Sequence, residues 1–109
     1  MAVYTKIFNE KESYQGYILD NLYHGKGIIK YLNDPMYISY EGDWENGKFN
    51  GSVKIIYTNE HIYIGYVKDS SRNGYGKMYS SNGKYLYDGN WIDDYIEKSI
   101  YVEQYDRNS

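Results

Sequence analysis

A Tyr-x-Gly motif recurs along this sequence at nearly constant spacing, and it constrains the fold more than any other feature. The motif begins at four tyrosines that are 26, 23 and 24 residues apart: Tyr14, Tyr40, Tyr63 and Tyr87. Eleven residues after each of the first three stands a further glycine: Gly25, Gly51 and Gly74. Self-similarity at such a period is typical of repeat proteins, in which each unit packs on its neighbours.

Within each repeat the residues alternate with the period of two that is typical of a half-buried β-strand. In the middle repeat Tyr40, Gly42 and Trp44 fall on one face of such a strand. Residues 45–51 contain an Asn-Gly pair, which readily adopts positive φ and predicts a turn before a second strand. We therefore predict an all-β fold, a single sheet in which consecutive antiparallel β-hairpins form one long meander.

The period also divides the chain. We predict a single domain, residues 1–109, with a capping strand (1–13), three repeats (14–39, 40–62 and 63–86) and a degenerate C-terminal repeat (87–109). Aligning the repeats places hairpin loops at residues 45–51 and 70–73 and makes His24 a turn residue. In the lone strand Tyr4–Asn9, the alignment matches Ile7 to Ile56 and Phe8 to Tyr57. Asp94–Tyr105 fits either a closing strand or a short helix.

The two faces of the predicted sheet differ in composition. One face carries the repeated tyrosines, glycines and tryptophans, and we predict a core in which rings lie flat over glycine backbone. The other face should be polar if water covers it, yet eight apolar or aromatic residues fall on it. These form the candidate partner-binding site: Tyr17, Leu19, Ile28, Ile56, Ile64, Tyr66, Tyr75 and Tyr79. The alternative is compositional, because Ile and Tyr have AT-rich codons and the 17 tyrosines indicate an AT-rich genome.

Charge and composition argue against several classes of protein. The net charge of -3 argues against a nucleic-acid binder, which would normally carry a basic stripe. The absence of cysteine excludes disulfides, a thiolate nucleophile and cysteine-bound metal. The mean hydropathy of -0.81 and the lack of a long apolar run predict no transmembrane helix. We also expect no secretory signal, because the N-terminal residues contain no apolar segment.

No constellation of catalytic or metal-binding residues stands out. His24 and His61 are the only histidines, and neither has a second histidine at ligand spacing. Glu41, Asp43 and Glu45 share a strand face, where paired carboxylates are conceivable. Lysines are available across the neighbouring strands, however, so we interpret this face as solvated and charge-balanced. We predict a protein that is not an enzyme and that uses no metal and no cofactor.

The residues from Tyr40 to Gly51 read Tyr-Glu-Gly-Asp-Trp-Glu-Asn-Gly-Lys-Phe-Asn-Gly. This segment resembles the MORN repeat (membrane occupation and recognition nexus), whose units read roughly Tyr-x-Gly-x-Trp-x-x-Gly-x-x-x-Gly-x-Gly. Residues 14–35 and 63–84 resemble it less fully, and Val53 stands where the family has glycine. The resemblance implies an elongated, twisted single-sheet array that acts as a scaffold or adaptor. It also implies frequent dimerisation and links to membranes and phosphoinositides.

These observations leave three hypotheses of function. The first is a non-catalytic protein–protein interaction module that binds through its sheet face or an edge strand. A sharper alternative is a phage- or pathogen-encoded inhibitor of a host or defence protein. The third is a dimerising structural scaffold with phospholipid association, although the sequence offers no polybasic patch for an anionic membrane. We expect a cytoplasmic location, in the host cytoplasm if the source is viral.

Overall fold

The computed structural model describes residues 1–97, which form nine β-strands and no helix. The strands are β1 (Val3–Phe8), β2 (Glu12–Leu19), β3 (Leu22–Tyr31), β4 (Tyr37–Glu45), β5 (Lys48–Tyr57), β6 (Ile62–Lys68), β7 (Ser71–Tyr79), β8 (Tyr85–Ile92) and β9 (Tyr95–Ile96). They form one open antiparallel sheet in which the order of the strands follows the chain, and the molecule measures 50 × 25 × 18 Å. The predicted all-β meander of hairpins is confirmed.

On one face of the sheet, a single row of cross-strand neighbours forms the centre of the core. The row runs through eight strands: Ile7, Tyr14, Ile29, Tyr40, Ile55, Tyr63, Met78 and Tyr87. Isoleucine or methionine side chains thus alternate with tyrosines along the row. Ile55 and Tyr63 are 0% exposed. No second layer covers this face within residues 1–97. These side chains are therefore buried by one another and by neighbouring core residues on the same face, such as Trp44, Phe49 and Trp91.

Each repeated tyrosine outside the middle repeat lies over a neighbouring glycine. Gly16 pairs with Gly27 across β2 and β3, and a Cβ atom on Gly16 would lie 2.6 Å from the Tyr14 hydroxyl. That hydroxyl donates a hydrogen bond to the backbone carbonyl of Tyr17, at 2.8 Å. The same bond recurs from Tyr63 to Tyr66 (2.7 Å) and from Tyr87 to Asn90 (3.0 Å). The motif is therefore a tyrosine, a glycine that makes room for its ring, and a carbonyl acceptor three residues after the tyrosine.

The middle repeat departs from this arrangement because Val53 occupies a glycine position. Val53 is buried opposite Gly42, where the neighbouring repeats have a glycine pair. The ring of Tyr40 stacks on Phe49, with ring centroids 3.6 Å apart. Stacked aromatic rings of this kind add stability beyond the area that they bury. In this repeat the tyrosine ring therefore packs on a phenylalanine and not over a pair of glycines.

The hairpins turn more tightly than the sequence alignment predicted. Four turns have two residues each, and both residues have positive φ: Asp20-Asn21, Asn46-Gly47, Asp69-Ser70 and Asp93-Asp94. Such turns match the twist of the strands that they join. The predicted loops at 45–51 and 70–73 were therefore too long or misplaced, and the prediction that His24 is a turn residue was wrong, since it lies in β3. The predicted loop 45–51 included Gly51, whereas the positive φ of Gly51, like that of Gly25 and Gly74, serves an irregularity inside a strand.

Strand β1 presents the opposite faces from those predicted by aligning Ile7 with Ile56. Ile7 packs against the core, whereas Phe8 is 77% exposed. Phe8 pairs with Ser13 and Ile56 pairs with Ile62, so the connection after β1 is one residue shorter than the connection after β5. A difference of one residue moves every side chain of a strand to the other face.

The C-terminal prediction is only partly covered by the structure. Tyr95–Ile96 form β9, which pairs with Trp91 and Ile92 of β8 after the Asp93-Asp94 turn. This start of the segment is therefore a strand. The remainder of the predicted Asp94–Tyr105 segment, from residue 98 onward, lies outside the described residues.

Arg72 closes the core beside the last hairpin, although sequence reasoning placed it in a loop. Its guanidinium carbon lies 4.5 Å from the centre of the Trp91 ring, and Nη2 donates a hydrogen bond to the carbonyl of Asp94 at 2.8 Å. Nη1 also donates to the Tyr57 hydroxyl at 3.3 Å. A cation over an aromatic ring is worth about 0.5–2 kcal/mol, depending on how well water is excluded.

We expect Arg72→Leu to lower the free energy of unfolding by about 1–2 kcal/mol, because it removes the contact with Trp91 and the hydrogen bonds to the last turn. Urea unfolding followed by circular dichroism measures this loss. Lys68→Leu is the matched control, since Lys68 is an exposed cation on the preceding strand. Equal losses in the two variants would contradict a specific role for Arg72.

Candidate functional site

The face opposite the core, called the open face below, carries three rows of side chains. The middle row consists of Lys6, Gln15, Ile28, Glu41, Lys54, Ile64, Lys77 and Asp88. The row nearer the two-residue turns includes Tyr4, Tyr17, Lys26, Asp43, Ser52, Tyr66, Tyr75 and Asn90. The row nearer the longer loops consists of Phe8, Ser13, Lys30, Ser39, Ile56, Ile62, Tyr79 and Tyr85. Because these positions alternate with the core positions along each strand, their side chains point away from the core.

The three rows come together as an apolar surface over β5–β8, called the aromatic patch. It contains five of the eight predicted site residues: Ile56, Ile64, Tyr66, Tyr75 and Tyr79. Ile64, Tyr66 and Tyr75 are 45%, 53% and 47% exposed, and Ile56 and Tyr79 are half-buried. The patch is the largest group of predicted site residues on adjacent strands.

Two further residues of the aromatic patch were missed by sequence reasoning. Ile62 precedes Ile64 by two positions and lies between Ile56 and Tyr79, so the strand period alone was enough to find it. Tyr85 stacks on Tyr79 with ring centroids 5.0 Å apart. Strand alternation alone places Tyr85 on the same face as Tyr87. The register shift between Met78 and Tyr79 puts the two side chains on opposite faces.

Polar groups inside the aromatic patch are engaged with its rings. The Tyr75 hydroxyl donates a hydrogen bond to the Asp88 carboxylate. This hydrogen bond is the main reason why the pKa of Tyr75 lies above its ordinary value, and partial burial of the hydroxyl adds to it. The Lys77 ammonium lies 5.6 Å from the centre of the Tyr85 ring. The patch therefore combines apolar area with tyrosine rings, and tyrosine is enriched at the centres of protein interfaces.

The other three predicted residues lie apart from the aromatic patch. Tyr17 and Leu19 are on β2 and Ile28 is on β3, which is two strands from β5, or roughly 10 Å at about 4.8 Å per strand. The ring of Tyr4 packs edge-on against Tyr17 with centroids 5.3 Å apart. Beside them is a shallow groove of about 280 Å³, lined by Tyr4, Gln15, Tyr17, Lys26, Gly27, Ile28, Glu41 and Gly42. Sequence reasoning missed Tyr4 because the face of β1 was assigned wrongly.

A charged strip separates the two apolar areas. Lys26 and Asp43 form a salt bridge, and Glu41 lies directly opposite Lys54. Cross-strand pairs of opposite charge stabilise a solvated sheet face. The carboxylates are thus matched with lysines, as expected for a charge-balanced surface rather than a paired-acid site.

The histidines do not form a recognisable site. His24 lies in β3, half-buried, and its Nδ1 has no hydrogen-bond partner among residues 1–97. His61 lies in the connection between β5 and β6, where its backbone N–H donates to the Asn59 side chain at 2.9 Å. Among the described residues, no group of three or more His, Cys, Asp or Glu is placed to hold a metal ion. The same part of the chain also has no helix that is long and apolar enough to cross a membrane.

Comparison with known proteins bears on the hairpins that carry both apolar areas. A family model described as MORN repeat matches residues 14–33, 40–59 and 63–85, which together are more than half of the chain. A comparison with curated proteins found no match. The matched ranges include the core tyrosines Tyr14, Tyr40 and Tyr63 and all of the predicted site residues, whereas Tyr87 lies beyond them.

Proposed function

Because the chain belongs to the MORN-repeat family, whose domains generally serve as protein- or membrane-interaction modules, we propose that it is a non-catalytic module that binds a partner protein through the aromatic patch. The single observation that carries this proposal is the exposure of Ile64, Tyr66 and Tyr75 on a sheet face that does not form the core. A water-covered face of an antiparallel sheet is normally polar. Contiguous exposed apolar surface on a small domain is typical of an interaction site.

The chemistry of the patch favours a protein as its partner over a membrane or a nucleic acid. Tyrosine is enriched at binding hot spots because its ring buries a large area while its hydroxyl stays hydrogen-bonded. Anionic membranes and nucleic acids attract clusters of unpaired cations. On this face Lys26 is paired with Asp43, and Lys77 contacts the Tyr85 ring. Lys54, at the border of the patch, faces Glu41. The described lysines at the patch therefore form no cluster of unpaired cations that would attract phosphate groups.

The proposal covers one domain over residues 1–109, with residues 1–13 and 87–109 as incomplete end repeats. The supporting observation is that β1 continues the row of core residues and precedes the first two-residue hairpin, which joins β2 and β3. We place the module in the cytoplasm, which the absence of cysteine supports.

Replacing Tyr66 and Tyr75 together by Ser is expected to reduce capture of the partner at least tenfold, because it removes two exposed rings from the patch. The measurement is affinity capture with the tagged chain, quantified by mass spectrometry. The fold should survive, since the core hydrogen bond from Tyr63 goes to the backbone carbonyl of Tyr66 and not to its side chain. Tyr95→Ser is the matched control, because Tyr95 is an exposed tyrosine outside the patch.

The identity of what is captured separates this proposal from the alternatives. A single protein lost with the Tyr66/Tyr75 variant and retained with Tyr95→Ser supports it, and a host or defence protein in that role makes the module an inhibitor. Recovery of copies of the chain alone, with a solution mass of a dimer, favours the scaffold. Unchanged capture of that protein by the double variant would contradict the proposal. Co-sedimentation with anionic vesicles that the double variant abolishes would make a membrane the partner of the patch.

A further inference from the structure

Strand β1 leaves one edge of the sheet open. Among residues 1–97, every strand from β2 to β8 has a neighbour on both sides, whereas β1 pairs only with β2. The pairing of β1 with β2 covers six residue pairs with no irregularity. The strand Val3–Phe8 contains no proline. It therefore lacks the bulges and prolines with which proteins commonly block a sheet edge.

The hydrogen bonding shows which backbone groups face the open side. Asn9 donates its backbone N–H to the carbonyl of Glu12 at 3.0 Å, immediately beyond the last pair of β1 and β2. Inter-strand bonding alternates along an antiparallel pair. Ile7 and Thr5 thus bond to β2, and the N–H and C=O groups of Tyr4, Lys6 and Phe8 point to the open edge.

Strand β5 is equivalent to β1 in its pairing with the following strand, and it also has a neighbouring strand on its other side. Thr5, Lys6 and Ile7 pair with Gly16, Gln15 and Tyr14, just as Val53, Lys54 and Ile55 pair with Gly65, Ile64 and Tyr63. On its other edge β5 has a strand, and the same three residues pair there with Gly42, Glu41 and Tyr40 of β4. Strand β4 thus places a tyrosine opposite Ile55, a carboxylate opposite Lys54 and a glycine opposite Val53.

The corresponding groups of β1 are left without these neighbours. Ile55 is fully buried, whereas the equivalent Ile7 is only half-buried. Lys54 faces Glu41 across the strands, whereas no residue among 1–97 forms an ion pair with Lys6. Adding a strand would cover Ile7 and give Lys6 an opposite charge.

We infer that the outer edge of β1 is a second binding site, which accepts an extended segment of a partner protein as an antiparallel strand. The segment carries the pattern tyrosine, acidic residue, glycine. Its tyrosine lies opposite Ile7, its carboxylate opposite Lys6 and its glycine opposite Thr5. Main-chain hydrogen bonds from Tyr4, Lys6 and Phe8 supply affinity, and the three side-chain positions supply selectivity. This site is separate from the aromatic patch and stands whether or not the patch binds a partner.

The test uses the full chain and a nine-residue peptide that copies Tyr37–Glu45. Hydrogen exchange of the Tyr4, Lys6 and Phe8 amides is expected to slow at least tenfold at saturating peptide. The amides of Thr5 and Ile7, already bonded to β2, should change much less. We expect Lys6→Glu to weaken binding about tenfold, because it replaces an attractive cross-strand pair by a repulsive one. The peptide variant Glu41→Lys should restore binding to the Lys6→Glu protein.

Lys68→Glu is the control, since it makes the same charge change on an exposed strand position away from this edge. Circular dichroism checks that each variant is folded. The inference is overturned if the peptide leaves the three amides unchanged, or if the charge exchange restores nothing. It is also overturned if those amides are already protected in the free protein. In that case a solution mass of a dimer identifies a second copy as the occupant of the edge. A solution mass of a monomer identifies another segment of the same chain as the occupant.

Discussion

The Gly65→Ala substitution is expected to lower the free energy of unfolding by about 3 kcal/mol. An added Cβ atom would lie 2.6 Å from the carbonyl oxygen of Tyr75 and 2.8 Å from the Tyr63 hydroxyl. Both neighbours are fixed, one by the β6–β7 pairing and the other by its hydrogen bond to Tyr66. The methyl group therefore displaces either the backbone of β7 or a fully buried ring, and forced shifts in a packed core cost about 1–3 kcal/mol or more. Urea unfolding measures the loss.

Gly83→Ala makes the same chemical change in a different setting and serves as the control. Gly83 lies in the connection between β7 and β8, with φ of +83° and no atom within 4 Å of an added Cβ. Its cost is limited to the left-handed backbone, which is about 1–2 kcal/mol for a non-glycine residue. The larger loss of unfolding free energy should thus occur at Gly65, which does not have a positive φ. A larger loss at Gly83 would show that backbone conformation, and not the room needed by the tyrosine, accounts for the recurring glycines.

The protein is expected to lose most of its stability between pH 10 and pH 12. Burial raises the pKa of Tyr14 and of Tyr63 to about 12, and it raises the pKa values of Tyr31 and Tyr57 to about 12 as well. The ordinary value of 10 applies to the unfolded chain. Below pH 10 these tyrosines are protonated in both states and add no pH dependence. Between pH 10 and 12 the unfolded chain releases protons that the folded protein retains, so the free energy of unfolding falls as pH rises.

Each such tyrosine contributes at most about 1.4 kcal/mol per pH unit, and water at the edges of the sheet reduces this contribution. For the group we expect a loss of about 3 kcal/mol by pH 11, a large part of the stability of a domain this small. Urea unfolding at pH 8, 10 and 11 measures it. Tyr63→Phe should be about 1 kcal/mol less stable at pH 8, because it lacks the bond to the Tyr66 carbonyl. It should then lose less stability than the unsubstituted chain at higher pH. Parallel pH curves for the two proteins would refute the role of Tyr63.

The accuracy of the sequence prediction differed between the core and the ends of the hairpins. The period of the Tyr-x-Gly motif predicted the order of the strands and the core positions of Tyr14, Tyr63 and Tyr87. Alternation along a strand is a local property, and it survives small errors in loop length. The loop 45–51 was made too long because a glycine with positive φ, such as Gly51, serves either a turn or an irregularity within a strand. Sequence alone does not distinguish between them.

The apolar residues of the candidate site were predicted from the sequence, but the pairing of the strands decides which of them are neighbours. All eight predicted residues belong to strands whose open-face positions follow from the period, yet only five of them lie together over β5–β8. Tyr85 joins Tyr79 through a shift in register, and Tyr4 joins Tyr17 because a connection is one residue shorter. Both effects depend on pairing between strands, which the sequence of one strand does not contain.

By itself the sequence determined the repeat, the alternation within each strand and thus an antiparallel meander with a tyrosine-rich core, because these follow from the backbone period and from glycine at fixed spacing. The tertiary structure decided which residues are neighbours across strands. It set Tyr40 on Phe49, Arg72 over Trp91 and the face of Phe8. Among residues 1–97 it also left Lys6 without a carboxylate like the one that Lys54 faces. The reason is that cross-strand register depends on the length of every connection and on every bulge, and a change of one residue in either exchanges the two faces of a strand.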